Sequence, residues 1–148
     1  MVEVIELIRP EDLGELLRLY KQLHPEDPDP EDNPELAQIW DEICQDPNLL
    51  YPVVRVDGEI VSTCTVAIIK NLTRGQRPYA VIENVMTHPG HRKKGYGTKV
   101  LHKAVDIARE RGCYKVMLLT GSKSGDTLRF YENAGFKKGV KTGFVIDL

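Results

Sequence analysis

Apolar residues recur at helical spacing near the start of the chain. Leu13, Leu16, Leu17, Tyr20 and Leu23 share one face of a helix expected over Glu11–Leu23, with Pro10 suited to its first position. Pro25–Pro34 breaks the period; it is acidic and proline-rich and reads as a loop. Asn33-Pro34 then offers a cap and a first-position proline to a second helix, striped by Leu36, Ile39, Trp40 and Ile43. Strand signals follow. Tyr51–Val56 and Glu59–Ile69 flank Asp57-Gly58, a hairpin turn pair, and Tyr79–Thr87 is a further strand after the polar loop Asn71–Pro78. Thr98–Arg111 has Val100, Leu101, Ala104, Val105 and Ala108 on one helical face and is closed by Gly112. Lys115–Thr120 lacks alternation, which predicts a strand buried on both faces in a parallel pairing. A short helix over Thr127–Ala134, ended by Gly135, and an edge strand over Phe144–Asp147 complete the reading. A helix-rich start, antiparallel hairpins and then strand–helix–strand–helix–strand make a mixed α/β domain spanning residues 1–148.

Composition changes this picture little. A chain of 148 residues is near the commonest domain size. A net charge of −2 argues against nucleic acid or an anionic membrane as partner. The start of the chain has no secretory pattern and no stretch is apolar enough to span a bilayer, so a cytoplasmic protein is expected. Cys44, Cys64 and Cys113 form no CxxC; they read as small buried hydrophobes, and no metal is expected. Charge distribution says more than the total. Gln22–Val54 holds nine acidic residues and no Lys or Arg, whereas Gly90–Lys115 holds eight Lys or Arg against Asp106 and Glu110.

The chemistry concentrates in that basic segment. Arg92-Lys93-Lys94-Gly95-Tyr96-Gly97-Thr98 lies between a strand and a helix start. Its glycines permit a tight turn, and backbone N–H groups at a helix N-terminus suit phosphate oxygens. Two phosphate motifs are excluded. Gly90 and Gly95 have P-loop spacing, but Tyr96-Gly97 follows where Lys-Ser/Thr is required. A dinucleotide fingerprint requires glycine where Val100 stands.

At this point the chain resembles the Gcn5-related N-acetyltransferases. Arg92-x-x-Gly95-x-Gly97 matches their Arg/Gln-x-x-Gly-x-Gly/Ala signature, and Phe130-Tyr131-Glu132-Asn133-Ala134-Gly135-Phe136 matches their Phe-Tyr-Glu-x-x-Gly-Phe. Ile82–Val85 and Gly112–Lys115 are locally similar to the glucosamine-6-phosphate N-acetyltransferases within that family. The resemblance implies a central, mostly antiparallel mixed sheet with flanking helices. Its fourth and fifth strands, Tyr79–Thr87 and Lys115–Thr120 here, run parallel and splay apart around acetyl-coenzyme A. Val85, Met86 and Thr87 would meet the pantetheine arm, and Arg92, Lys93, Lys94, Gly95, Tyr96, Gly97 and Thr98 the pyrophosphate. Ser124 stands where the family often has Asn, so a side-chain contact from there is not carried over.

Two side chains are candidates for catalysis. Glu83 lies in an otherwise apolar strand, where a carboxylate must be solvated, paired or used. Alternation alone would put it on a solvated face; the resemblance makes it the general base. A base is needed because an ammonium of pKa about 10.4 costs about 4–5 kcal/mol to neutralise at pH 7. Tyr131 is either an aromatic packed between helix and sheet or, as the resemblance implies, the acid that protonates the departing thiolate. No pairing pattern is evident among His24, His88, His91 and His102. The expected reaction is acetyl transfer to a primary amine of a small molecule or a protein, in a ternary complex. The alternatives are a non-catalytic coenzyme A-binding regulatory domain and a phosphate-binding interaction module. The acidic Glu26–Asp46 segment favours a cationic acceptor, Arg74 and Arg77 an anionic one, and a homodimer is left open.

Overall fold

The structure is a computed structural model describing residues 1–29 and 33–148; residues 30–32, inside the expected acidic loop, lie outside the described residues. The chain runs β1 (Glu3–Leu7), a 3-10 turn Pro10–Asp12, α1 (Leu13–Leu23), α2 (Pro34–Gln45), β2 (Leu49–Leu50), β3 (Pro52–Val56) and β4 (Glu59–Ile69). There follow a kinked turn α3 (Thr73–Gln76), β5 (Tyr79–Thr87), a 3-10 turn Pro89–His91, α4 (Tyr96–Glu110), β6 (Val116–Leu118) and α5 (Gly125–Asn133). The sheet order is β1-β3-β4-β5-β6, with β2 also on β4. All pairings are antiparallel except β5 with β6.

Alternation along the strands sorts two cores. Val54, Val61, Cys64, Val66, Ala80 and Ile82 face α4, which contributes Tyr96, Val100, Leu101, Ala104 and Ala108. Val53, Ile60 and Met86 face the other way, onto Leu19 of α1. Asp57 and Gly58 take φ of 50° and 85°, the paired left-handed residues that a two-residue hairpin turn needs. Asn33 caps α2 as expected, its side chain accepting from the Leu36 N–H at 2.9 Å. Trp40 docks α2 by donating its indole N–H to the Pro10 carbonyl at 2.8 Å and meeting Tyr51 edge-on.

Several expectations need correction. The strand β1 was not predicted: it is an edge strand whose Val4, Ile5 and Leu7 remain substantially exposed, so it carries no inward periodicity. The strand β6 is half-buried, not buried on both faces, because it closes one edge of the sheet. Phe144–Asp147 forms no strand; it is exposed and pairs with no strand among the described residues. Cys64 alone of the three cysteines is a buried hydrophobe; Cys44 and Ile39 of α2 are exposed, and Cys113 is intermediate. Among the described residues no helix is long and apolar enough to cross a membrane.

Candidate active site

The strand β5 organises the site. Its parallel pairing with β6 runs from Ala80↔Val116 to Ile82↔Leu118 and stops, while β5 continues to Thr87. Beyond Ile82 that side of β5 has no strand among the described residues, which leaves the opening that the family resemblance implied. The break coincides with a bulge. Thr65 pairs with Glu83 and Thr63 with Met86, so β5 carries one more residue than β4 between these pairs. Asn84 supplies the bend at φ 52°, a left-handed conformation that Asn tolerates.

Glu83, just before the bulge, is exposed, and its register partner Thr65 puts both side chains on the α1 face. On that face the Tyr20 and Thr65 hydroxyls are buried, and neither has a hydrogen-bond partner among the described residues. Burial pushes the Tyr20 phenol well above its ordinary pKa, with the neighbouring Thr65 hydroxyl acting the other way. Sequence reasoning missed both as site residues. Tyr20 was absorbed into the apolar stripe of α1, and only the cross-strand register reveals Thr65 beside Glu83.

After the bulge the faces swap: Val85 packs toward α4 and Met86 toward α1. The Ser62 hydroxyl donates to the Met86 carbonyl at 3.0 Å, and Arg92 Nε donates to the Thr87 carbonyl at 3.3 Å. Arg92 thus ties the basic loop to the strand end. In that loop Lys93 and Gly95 take φ of 62° and 84°. The helix α4 begins at Tyr96, two residues before the expected Thr98, and no side chain caps it. Its first backbone bond is Lys99 N–H to Gly95 O, so the N–H groups of Tyr96, Gly97 and Thr98 lack intrahelical acceptors. They lie at the positive end of a 15-residue helix, an arrangement suited to an anion. Lys93 and Lys94 are exposed beside them, whereas Lys99 is ion-paired with Glu3.

The two glycines of the motif have different duties. Gly95 is required by its positive φ, and a Cβ there would meet nothing within 4 Å. Gly97 is buried in the first turn of α4, where a Cβ would lie 2.9 Å from the Phe130 ring and 3.2 Å from Thr87 Oγ1. Gly97→Ala is therefore expected to cost about 1–3 kcal/mol by overpacking, read as a lowered midpoint of denaturant unfolding. An unchanged midpoint would show that Phe130 yields freely.

Tyr131 lies on α5, which Ser124 caps by accepting from the Thr127 N–H at 3.2 Å, and packs against the α4-side core. Its half-buried ring packs edge-on to Phe130 and Phe136, at 4.9 and 6.4 Å between centroids. Burial raises the phenol pKa, and the nearby Cys64 thiol and Glu83 carboxylate add to the effect. Glu83 and Tyr131 are thus close enough for the charge of one to act on the other. His88 and His91, read as unpaired, stack edge-on at 5.5 Å, with His88 Nδ1 accepting from the Gly90 N–H. Arg77 donates to the Gly112 and Cys113 carbonyls at 3.1 and 3.0 Å, and Arg74 sits over the Tyr114 ring. Both guanidiniums are thereby engaged next to the start of β6, whereas the opening lies beyond its end. Among the described residues no cluster of His, Cys, Asp or Glu could hold a metal ion.

Comparison with known proteins agrees with this geometry. A putative acetyltransferase from Agrobacterium tumefaciens superposes with a TM-score of 0.92 at 41% identity, over 98% of this chain and 99% of that one. An acetyltransferase from Trypanosoma brucei superposes at 0.84 with 30% identity, over 99% and 100%. The glucosamine 6-phosphate N-acetyltransferase of Trypanosoma brucei brucei is 39% identical over 80 residues, 54% of this chain and 52% of that protein. The chain spans about half the length of the first curated relatives it matches, at 52% and 50%. The family model for the acetyltransferase (GNAT) family matches residues 13–136, and the chain belongs to that family.

Proposed function

We propose that this protein transfers the acetyl group of acetyl-coenzyme A directly to a primary amine, with Glu83 as general base and Tyr131 as general acid. What supports the reading is that Glu83 lies on β5 just where the pairing with β6 stops, that its charge acts on the Tyr131 phenol, and that the same strand leads into the uncapped start of α4. The residues present fit the cosubstrate. Beyond Ile82 the side of β5 that β6 leaves uncovered, along Val85, Met86 and Thr87, offers an added-strand contact to the pantetheine amides, with the Met86 and Thr87 carbonyls already taken by Ser62 and Arg92. The N–H groups of Gly95, Tyr96, Gly97 and Thr98, with Arg92, Lys93 and Lys94, offer a cradle for the pyrophosphate. Acetyl-coenzyme A supplies an activated thioester and a thiolate leaving group. Glu83, directly or through a water, takes the proton that the attacking ammonium must lose. Tyr131, kept protonated by burial, gives a proton to the departing sulfur.

For the acceptor we favour the amine of a hexosamine phosphate, supported by the Trypanosoma brucei brucei relative and the shared Ile82–Val85 stretch. The engagement of Arg74 and Arg77 means that other cations would have to meet its phosphate. A thiol-release assay over glucosamine 6-phosphate, glucosamine, a polyamine and an aminoglycoside decides the class. Turnover confined to the last two would overturn the hexosamine phosphate assignment.

Glu83→Gln tests the base. Coenzyme A affinity should persist while turnover at neutral pH falls by about a hundredfold. The deficit should shrink as pH approaches the pKa of the amine itself, where neutral amine is abundant. A pH–rate profile equal to the parent in shape and height would return Glu83 to a solvated surface position.

A further inference from the structure

We infer that Thr65 and Tyr20 are positioning residues for Glu83: the Thr65 hydroxyl donates to the Glu83 carboxylate and the Tyr20 hydroxyl donates to Thr65, fixing the carboxylate where it meets the acceptor amine. The inference rests on the reading of Glu83 as the base. Thr65 is 9% exposed and pairs across the sheet with Glu83. Directly paired residues have Cβ atoms about 4.5–5.5 Å apart, within reach of a glutamate side chain. Thr63, one step earlier on the same face, settles its hydroxyl on the Pro52 carbonyl at 2.9 Å. Thr65 does not: its hydroxyl, like that of Tyr20, is buried and has no hydrogen-bond partner among the described residues.

Donor counting points to the carboxylate. The two hydroxyls are neighbours, since Thr65 acts on the Tyr20 phenol. When one donates to the other, one O–H is still left over. The Tyr51 phenol also acts on Tyr20, but it brings a donor along with its acceptor and leaves the same excess. A buried donor without an acceptor is rare in native chains. Glu83 is the matching acceptor. It is exposed, enters no ion pair among the described residues, and offers two carboxylate oxygens on the same face. Rotation about its side-chain bonds is the only motion required, and a hydrogen bond to a charged acceptor is the stronger kind.

Steady-state kinetics of Thr65→Val, Thr65→Ser and Tyr20→Phe, each alone and combined with Glu83→Gln, test the assignment. Thr65→Val removes the hydroxyl and keeps the branched shape. Its turnover should fall by about ten- to a hundredfold, the contribution of one hydrogen bond to a charged group, while KM for acetyl-coenzyme A stays put. Thr65→Ser restores the hydroxyl and should bring turnover back to within about threefold of the parent. Tyr20→Phe, one bond further back, should lose about two- to tenfold. On the Glu83→Gln background none of these substitutions should cost more than about twofold, because the carboxylate they serve is gone. A Thr65→Val enzyme as fast as the parent would overturn the inference and leave Glu83 as the base. So would a loss of equal size on the Glu83→Gln background, or one that Thr65→Ser does not restore. Parent-like turnover of Glu83→Gln alone would overturn the base assignment and this inference with it. Should Thr65→Val not fold, Tyr20→Phe decides by the same comparison.

Discussion

Tyr131→Phe is expected to lower turnover by about a hundred- to ten-thousandfold while barely moving the melting temperature or coenzyme A affinity. That loss corresponds to about 3–5 kcal/mol of barrier. The substitution keeps the ring between Phe130 and Phe136 and removes only the proton donor. Burial and the Glu83 charge raise the phenol pKa, so Tyr131 is protonated across any practical assay range. The parent should therefore show no alkaline loss of rate from Tyr131 below its ordinary pKa of about 10. The measurements are steady-state kinetics and thermal unfolding of parent and variant. Turnover within about threefold of the parent would make Tyr131 a packing residue and leave solvent water as the acid.

The second large effect lies on the stability link, far from the chemistry. Arg55, 6% exposed on β3, donates Nε to Glu6 at 2.6 Å and an Nη to Asp12, which is also buried. The Arg9 backbone N–H donates to the same Asp12 carboxylate at 2.8 Å. Burial works to raise the pKa of Asp12, but hydrogen bonds from Arg55 and Arg9 with their charges outweigh it, and the net shift is downward. For Glu6 the hydrogen bond from Arg55 dominates and lowers the pKa against a smaller effect of burial. Arg55→Ala strands a buried carboxylate and should cost about 3–5 kcal/mol at neutral pH. That is a large share of the 5–15 kcal/mol typical of a domain. Both carboxylates have folded pKa values below their unfolded ones. Their contribution is therefore present above the ordinary carboxylate range and is lost as pH falls through the folded values. The gap between parent and variant should be widest near pH 7 and close as the carboxylates protonate, below about pH 4. Urea unfolding across pH measures this; a gap independent of pH would mean that lost packing, not the stranded charge, sets the cost.

The helices and long strands were legible because each buries one face and so writes its period into the sequence. The helix α4 shows this best: of Val100, Leu101, Ala104, Val105 and Ala108, read as its inner face, all are buried except Val105, which is intermediate. The basic loop was legible because Gly95 and Gly97 punctuate it, although their unequal roles were not, since only packing puts Phe130 against Gly97. What failed shares a cause. The strand β1 was not expected, and β6, expected as a parallel strand and found as one, is half-buried rather than covered on both faces; both lie at sheet edges, where side chains leave little inward pattern. Phe144–Asp147 has the composition of a strand but pairs with no strand among the described residues. Tyr20 and Thr65 could not be assigned to the site, because their neighbourhood is set by register across β4 and β5 and not by spacing along the chain.

The bulge at Asn84 gives β5 two independent phases. Upstream, the phase of Tyr79–Glu83 decides which side chains look toward the α1 face and Glu83's reactive neighbourhood. Downstream, the phase of Val85–Thr87 decides how the backbone is presented beside the basic loop. One left-handed residue takes up the slip between them. On the proposed function, side chains before Asn84 can therefore diversify, changing which amine is accepted, without re-threading the backbone proposed to align the acetyl donor.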